Sequence, residues 1–449
     1  MLSDAIKYYH SLLSGPLLDD AIEKLAESTA RQNLSFGSRP ICTVLRPLFI
    51  TADQYDYIQR DSTLVLRAIE KLGQALLSEE RLRAELGLTP TEEQLISIDP
   101  GFKAPAAGGR FDAFFDLHGD FSFVEYNADQ PGGLLYGETL SEIFQEMDVV
   151  REFGRKFPVR QVPVKRQILE TMLDCYNEWG NWNSRARPKI ALIDSRTPQT
   201  NAELELCCEY FASQGYPTVI ADPRELEYRG GWLRVGDFHI NIVYKGAVTY
   251  DLLEQNGMNH PLVRAARDRA VCVVNSFRVQ MLGKKALFGL LDNPDCERFF
   301  TSDEIGALRR HLPWTRHLRK GFSTYRGRRI DLIDFTLSHR NLLTLKPNNW
   351  SGGRGEIPGW SCTEEEWQSA IRNALEGSFV VQELVEGIKQ PFPTLVMGEL
   401  ECQDRYVDFD PYTWGGEMVE GAGVRLSCSP LPNVSASEGS ATSMMIIGK

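Results

Sequence analysis

Residues 110–127, RFDAFFDLHGDFSFVEYN, constrain the fold more than any other stretch of this 449-residue chain. Apolar and polar residues alternate on both sides of His118–Gly119, the pattern of two half-buried strands joined by a turn. The register that follows pairs Asp112 with Glu125 and Arg110 with Asn127. Side chains alternate faces along a strand, so Arg110, Asp112, Glu125 and Asn127 share one face. Phe111, Ala113, Phe115, Val124 and Tyr126 share the other, which suits a core. Two opposed carboxylates repel. A divalent cation, which takes oxygen ligands of this kind, would remove that cost, with the Asn127 amide oxygen as a third ligand. The plainer reading is a solvated acidic face partly neutralised by Arg110.

The length predicts two or three domains, and 42% hydrophobic with 24% charged residues is ordinary for a soluble globular protein. A net charge of −12 argues against nucleic acid as a partner, which needs a basic face. The run 309–329 is rich in Arg and Lys but too poor in aromatics for a stacking platform. Nine cysteines without a CxxC pair, two of them adjacent at Cys207–Cys208, suit reduced thiols in a cytoplasmic protein. The start MLSDAIKYYHSLLSGP lacks the pattern of a signal peptide. No stretch approaches the roughly 18–20 apolar residues of a membrane span. No membrane partner is expected, and a homo-oligomer is compatible with the sequence.

Along the chain, residues 1–150 read as a helical region, with Val65, Ile69, Leu72 and Leu76 at helical spacing, followed by the hairpin and a glycine turn into a helix. Residues 151–187 read as a basic, aromatic connector. Residues 188–275 alternate strand and helix, which predicts an α/β unit with a parallel sheet. It has no GxGxxG turn, so a dinucleotide site is not expected. Asp194, Arg196, Thr197 and Lys245 fall near its strand ends and are candidate substrate contacts. From 276 to 430 the pattern is mixed α+β. Residues 431–449 read as a flexible tail.

Several further motifs can carry chemistry. In LLTLKPNNWSGGRG, Lys346 ends an apolar strand and a loop with Gly352 and Gly353 follows, so backbone N–H groups and a point charge can meet phosphates. An ordinary glycine turn is the other reading, and this is not a Walker sequence. MLGKKALFGLLD predicts one helix carrying Lys284 and Lys285. In SFVVQELVE, the strand end at Gln382, Glu383 and Leu384 can offer an adenine ring apolar cover and backbone hydrogen bonds. Arg425, in GAGVRLS, is a candidate anion contact.

Taken in order, RFD, VEYNAD with PGG, KAL after VVNS, LKP before a glycine loop, VVQELVE and GVRLS resemble the circularly permuted ATP-grasp proteins of the glutathionylspermidine synthase-like branch. The resemblance covers roughly residues 110–427. It implies a mixed α/β and α+β fold, a permuted ATP-grasp core with a Rossmann-like preATP-grasp unit at 188–275 and a nucleotide-binding region with a lid at 276–430. It implies magnesium on Asp112, Glu125 and Asn127. Arg110 would face the transferring phosphoryl and acyl groups, and Arg425 would be a late phosphate-binding arginine. Lys285 and Lys346 would be the ATP lysines, and Gln382, Glu383 and Leu384 the adenine hinge. The loop NNWSGGRG departs from the family's loop, and no Cys/His amidase part precedes the synthetase part.

The implied function is an ATP- and Mg2+-dependent carboxylate–amine ligase that forms an amide through an acyl phosphate on small-molecule substrates. A phosphotransferase, or a non-catalytic nucleotide-binding protein of the same fold, are the alternatives.

Overall fold

The alternation at 108–127 becomes two neighbouring strands at one edge of a six-stranded antiparallel sheet. Gly108–Phe115 pairs with Phe121–Asn127 on one side and with the long strand Glu399–Trp414 on the other. Met418–Ser427, Ser440–Thr442 and Lys389–Val396 complete the sheet. The computed structural model describes residues 1–448 apart from 37–38, 117–118, 130, 181–186, 196–197, 255, 351–352, 397 and 431–438, and describes no side chain at 36 or 198–201.

The register pairs Asp112 with Glu125 and Arg110 with Asn127, as the alternation predicts. Beyond Asp112 it slips, because Ala113 pairs with Phe123 and leaves Val124 as the extra residue of a bulge. A bulge reverses the parity of every residue after it. Phe123, not Val124, therefore fills the core, with its ring 4.3 Å from that of Phe111. Of the expected turn, His118 lies outside the described residues, and Gly119 takes φ +83°, a conformation that glycine adopts without strain.

Against this sheet packs the helix Ala52–Ser78. A capping box starts it: Thr51 Oγ1 accepts from Gln54 N–H while Gln54 Oε1 accepts from Thr51 N–H. Val65, Ile69, Leu72 and Leu76 are all fully buried, as their spacing predicts. The same helix buries Asp61 against His311 of the helix Ser302–His311. His311 Nε2 lies 2.9 Å from Asp61 Oδ2, its Nδ1 lies 2.8 Å from the Phe121 carbonyl, and its ring stacks on Phe121. This network pins the start of the second hairpin strand.

Burial alone would raise the Asp61 carboxyl, but His311, Arg310 and Arg60 hold it below its ordinary value. A depressed carboxylate stabilises the fold above its unfolded pKa of about 3.9 and loses that contribution as pH falls through the folded value. The stability gap between wild type and Asp61→Asn is therefore expected to be constant from neutral pH to about 5 and to shrink below about 4. Urea denaturation of both proteins across that range measures it.

Residues 189–275 hold four parallel strands in the order Cys272–Val274, Ile242–Lys245, Ile190–Ile193, Thr218–Ala221. Ile190 and Leu192 face one apolar cluster and Ala191 and Ile193 another, so both faces of the sheet are covered. The helix Lys165–Trp179 supplies part of that cover through Ile168, Met172 and Trp179. The segment expected to be a connector is thus partly a structural helix. A further unit pairs Thr315–His317, Phe379–Glu383, Leu343–Pro347 and Ile357–Pro358, all antiparallel, over the buried Trp367 of the helix Glu364–Glu376.

The expected flexible tail is corrected in its described part. Met444–Ile447 is a buried strand, parallel to Leu48–Thr51 and antiparallel to Val159–Arg160. Small polar residues before it look like a linker, and its sheet partners lie hundreds of residues away. Residues 431–438 lie outside the described residues. All nine cysteines are free, and no helix among the described residues is long and apolar enough to cross a membrane.

Candidate functional site

The polar face of the hairpin carries Arg110, Asp112, Glu125 and Asn127, but the two acidic groups are neutralised separately. Asp112 Oδ1 accepts from Arg110 Nε at 2.9 Å and from Asn127 Nδ2 at 2.8 Å. Its Oδ2 accepts from Arg425 Nη2 at 2.6 Å. Glu125 turns away to Lys285, whose Nζ lies 3.1 Å from Oε1. No cation between the opposed pair is needed to hold this arrangement.

Two further carboxylates, unremarked in the sequence, join Asp112. Phe409 pairs with Ala113 and Tyr412 with Arg110, which sets Asp410 beside Asp112. Asp408, Asp410 and Asp112 are all buried, with ligand oxygens within 4.8 Å of one another. Arg425, paired with Asp408 across the sheet, reaches all three: it forms an ion pair with Asp408 and lies 2.9 Å from Asp410 Oδ2. The cluster is therefore three acids around two arginines. Burial would raise the Asp112 carboxyl, but Arg110 and Arg425 hold it well below the usual carboxylate range. Burial pushes Asp408 and Asp410 up, and Arg425 only partly offsets it. Asp408 Oδ1 is buried without a hydrogen-bond partner. The sequence signal existed in YVDFDPY, where Val407 and Phe409 alternate with the two aspartates, but the cross-strand register is needed to bring them to Asp112.

The single helix expected around Lys284 and Lys285 is two, Val279–Leu282 and Ala286–Leu291, with both lysines buried at the break. Asn348 stabilises that break, accepting from Lys285 N–H through its carbonyl and from Ala286 N–H through its side chain. Lys285 reaches Glu125 and the Trp350 carbonyl. Lys284 points elsewhere, to Glu92 and the Asn349 side chain, both at 2.6 Å.

A cavity of about 460 Å³ opens beside the hairpin, within the size range of small-molecule sites. Phe114 and the bulged Val124 form one wall, and Thr344, Lys346, Gln382, Glu383 and Leu384 another. Motifs more than two hundred residues apart in the sequence thus line one space. Lys346 is buried and lies 3.0 Å from Glu356, a residue the sequence reading passed over. Gly353 adopts φ +69° in the loop between them, and Gly352 lies outside the described residues. Gln382 is structural, donating to Thr315 Oγ1 and the Val124 carbonyl. The Glu383 carboxylate accepts from Tyr325 and Arg326. The N–H groups of Glu383 and Leu384 already donate to Trp314 and Leu342 carbonyls, so a flat ring at this hinge would use Val385 and carbonyl groups instead.

In the α/β unit, Lys245 is occupied by an ion pair with Asp129, which also accepts from Thr249 N–H and Oγ1. Lys245 thereby ties the unit to the loop after the hairpin and is not available as a free substrate contact. Asp194 is buried, and Arg196 and Thr197 lie outside the described residues.

The comparison that bears on this geometry is structural. The chain superposes on a glutathione synthetase-like effector from Globodera pallida, solved in its apo form, with a TM-score of 0.64 at 12% identity, covering 97% of this chain and 98% of that one. The two chains share a fold. D-alanyl-alanine synthetase A from Vibrio cholerae covers 50% of this chain and 68% of its own at 12% identity, and its TM-score of 0.27 is too low to bear on the fold. No family model and no curated protein matches the chain.

Proposed function

We propose that this chain is an ATP-dependent carboxylate–amine ligase, of the circularly permuted, glutathionylspermidine synthase-like ATP-grasp kind, acting on small molecules in the cytoplasm. One observation carries the reading. Phe114 and Val124 of the acidic hairpin, Lys346 before the glycine loop and the hinge Gln382–Leu384 all line a single cavity. A nucleotide there would set its base against the hinge and its phosphates toward Lys346 and Lys285. The fold shared with a glutathione synthetase-like effector supports the reading.

The residues present fit a magnesium ion. Asp112, Glu125 and Asn127 offer hard oxygen donors on one hairpin face, and the unpartnered Asp408 Oδ1 lies in the same cluster. Asp112, Glu125 and Asn127 would hold such an ion, and the chemistry it would supply there is neutralisation of phosphate charge. The protein's own part is preorganisation. Arg110 and Arg425 are fixed by buried aspartates, so their charges need no reordering when negative charge builds on phosphoryl and acyl oxygens. The γ-phosphoryl group passes to a substrate carboxylate oxygen and ADP leaves. The amine nitrogen then attacks the acyl carbon, phosphate departs, and an amide remains.

An ADP-release screen over paired carboxylates and amines, with product masses measured, tests this. ADP release that needs both partners, with a product equal to acid plus amine minus water, is expected. Phosphate added to a single acceptor would identify a phosphotransferase instead, and no turnover with any pair would leave a binding protein.

A further inference from the structure

Lys346 is the cation best placed to meet an anionic ligand in the cavity, yet it is already engaged. Its Nζ lies 3.0 Å from Glu356 Oε1, and the two side chains are only 7% and 14% exposed. Both residues line the cavity. Their meeting is enforced by the backbone. Leu345 pairs with Ile357 and Thr344 with Pro358, so the register that returns the chain from the glycine loop brings Glu356 alongside Lys346. Thr344 Oγ1, 3.4 Å from the same carboxylate oxygen, holds it on that side. Glu356 thus sits where a phosphate reaching Lys346 would have to sit. Shielded from water, two like charges in that space repel far more than they would at the surface.

We propose that Glu356 sets the affinity of the cavity for phosphate-bearing ligands by competing with them for Lys346. Binding then exchanges a carboxylate for a phosphate at one lysine. The proposal rests on the nucleotide reading of the cavity and adds a residue that reading does not include. Glu125 stands in the same relation to Lys285 but faces the candidate metal ligands, whereas Glu356 touches none of them.

The test is calorimetric titration of wild type, Glu356→Gln and Glu356→Asp with ADP, a non-hydrolysable ATP analogue and inorganic tripolyphosphate, each with magnesium. Glu356→Gln keeps the shape and removes the charge, and is expected to bind about tenfold more tightly than wild type, the gain from removing one competing charge at a shielded site. Glu356→Asp, whose carboxylate is drawn back by one methylene, is expected to fall between them. Equal or weaker binding by Glu356→Gln overturns the proposal. Should that variant fail to fold, Glu356→Asp decides, and affinity no better than wild type overturns it. Wild type that binds tripolyphosphate but no adenine nucleotide would refute the nucleotide reading alone, and the tripolyphosphate series would still judge Glu356. If none of the three proteins binds any probe, both readings fall.

Discussion

Lys346→Ala and Glu125→Ala are each expected to lower magnesium-dependent ADP release by about 100- to 1,000-fold, the loss typical of removing one preorganised charge from a shielded site. The two variants fail for different reasons. Lys346 lines the cavity and is the partner of Glu356, so its loss leaves that carboxylate without its ion pair. Glu125 is the hairpin carboxylate opposite Asp112, and its loss also frees Lys285, which would then be held only by the Trp350 carbonyl. Nucleotide binding separates them. The Lys346 variant should lose affinity with and without magnesium, while the Glu125 variant should lose mainly the magnesium dependence. A Glu125→Ala protein with wild-type turnover and metal response would show that the hairpin acids do not hold the ion.

Asp129→Ala is expected to cost about 3–5 kcal/mol of stability, the penalty for stranding a buried charge. The Lys245 side chain is fully buried against Asp129, and Thr249 would lose an acceptor for both its N–H and its hydroxyl. A shift in the urea midpoint at unchanged slope measures it. The double replacement Asp129→Leu/Lys245→Met should recover much of the loss, because an apolar pair of similar volume removes the desolvation cost along with the attraction. A single variant within about 1 kcal/mol of wild type would mean that this ion pair does not join the α/β unit to the hairpin loop.

The legible parts of the sequence were those whose determinants are local. Period-two alternation fixed the pairing of Asp112 with Glu125, and helical spacing picked out the buried face of Ala52–Ser78. The same alternation failed at the next residue, because a bulge at Val124 has no signature in a single sequence and reverses the faces that follow. Lys284 and Lys285 read as part of one helix because the break that holds both is bridged by Asn348, a residue far along the chain. Asp408 and Asp410 needed the pairing of a strand near 410 with one near 110 before they could be seen beside Asp112. Asp112 and Glu125 also each meet a basic side chain from a distant segment, Arg425 and Lys285, which hairpin alternation does not reveal. Charge alone implied a partner without saying which.

The sheet of Leu48–Thr51, Val159–Arg160 and Met444–Ile447 joins segments separated by most of the sequence. Closing loops of that length costs chain entropy before any apolar contact is gained. The parallel sheet between 190 and 274 depends on much nearer neighbours and can form while later residues are still being made. Phe49 and the helix Leu2–Leu12, whose Tyr9 ring rests on it, gain their covering strand only when residues 444–447 arrive. The N-terminal layer is therefore covered only once a strand from the far side of the sequence has docked.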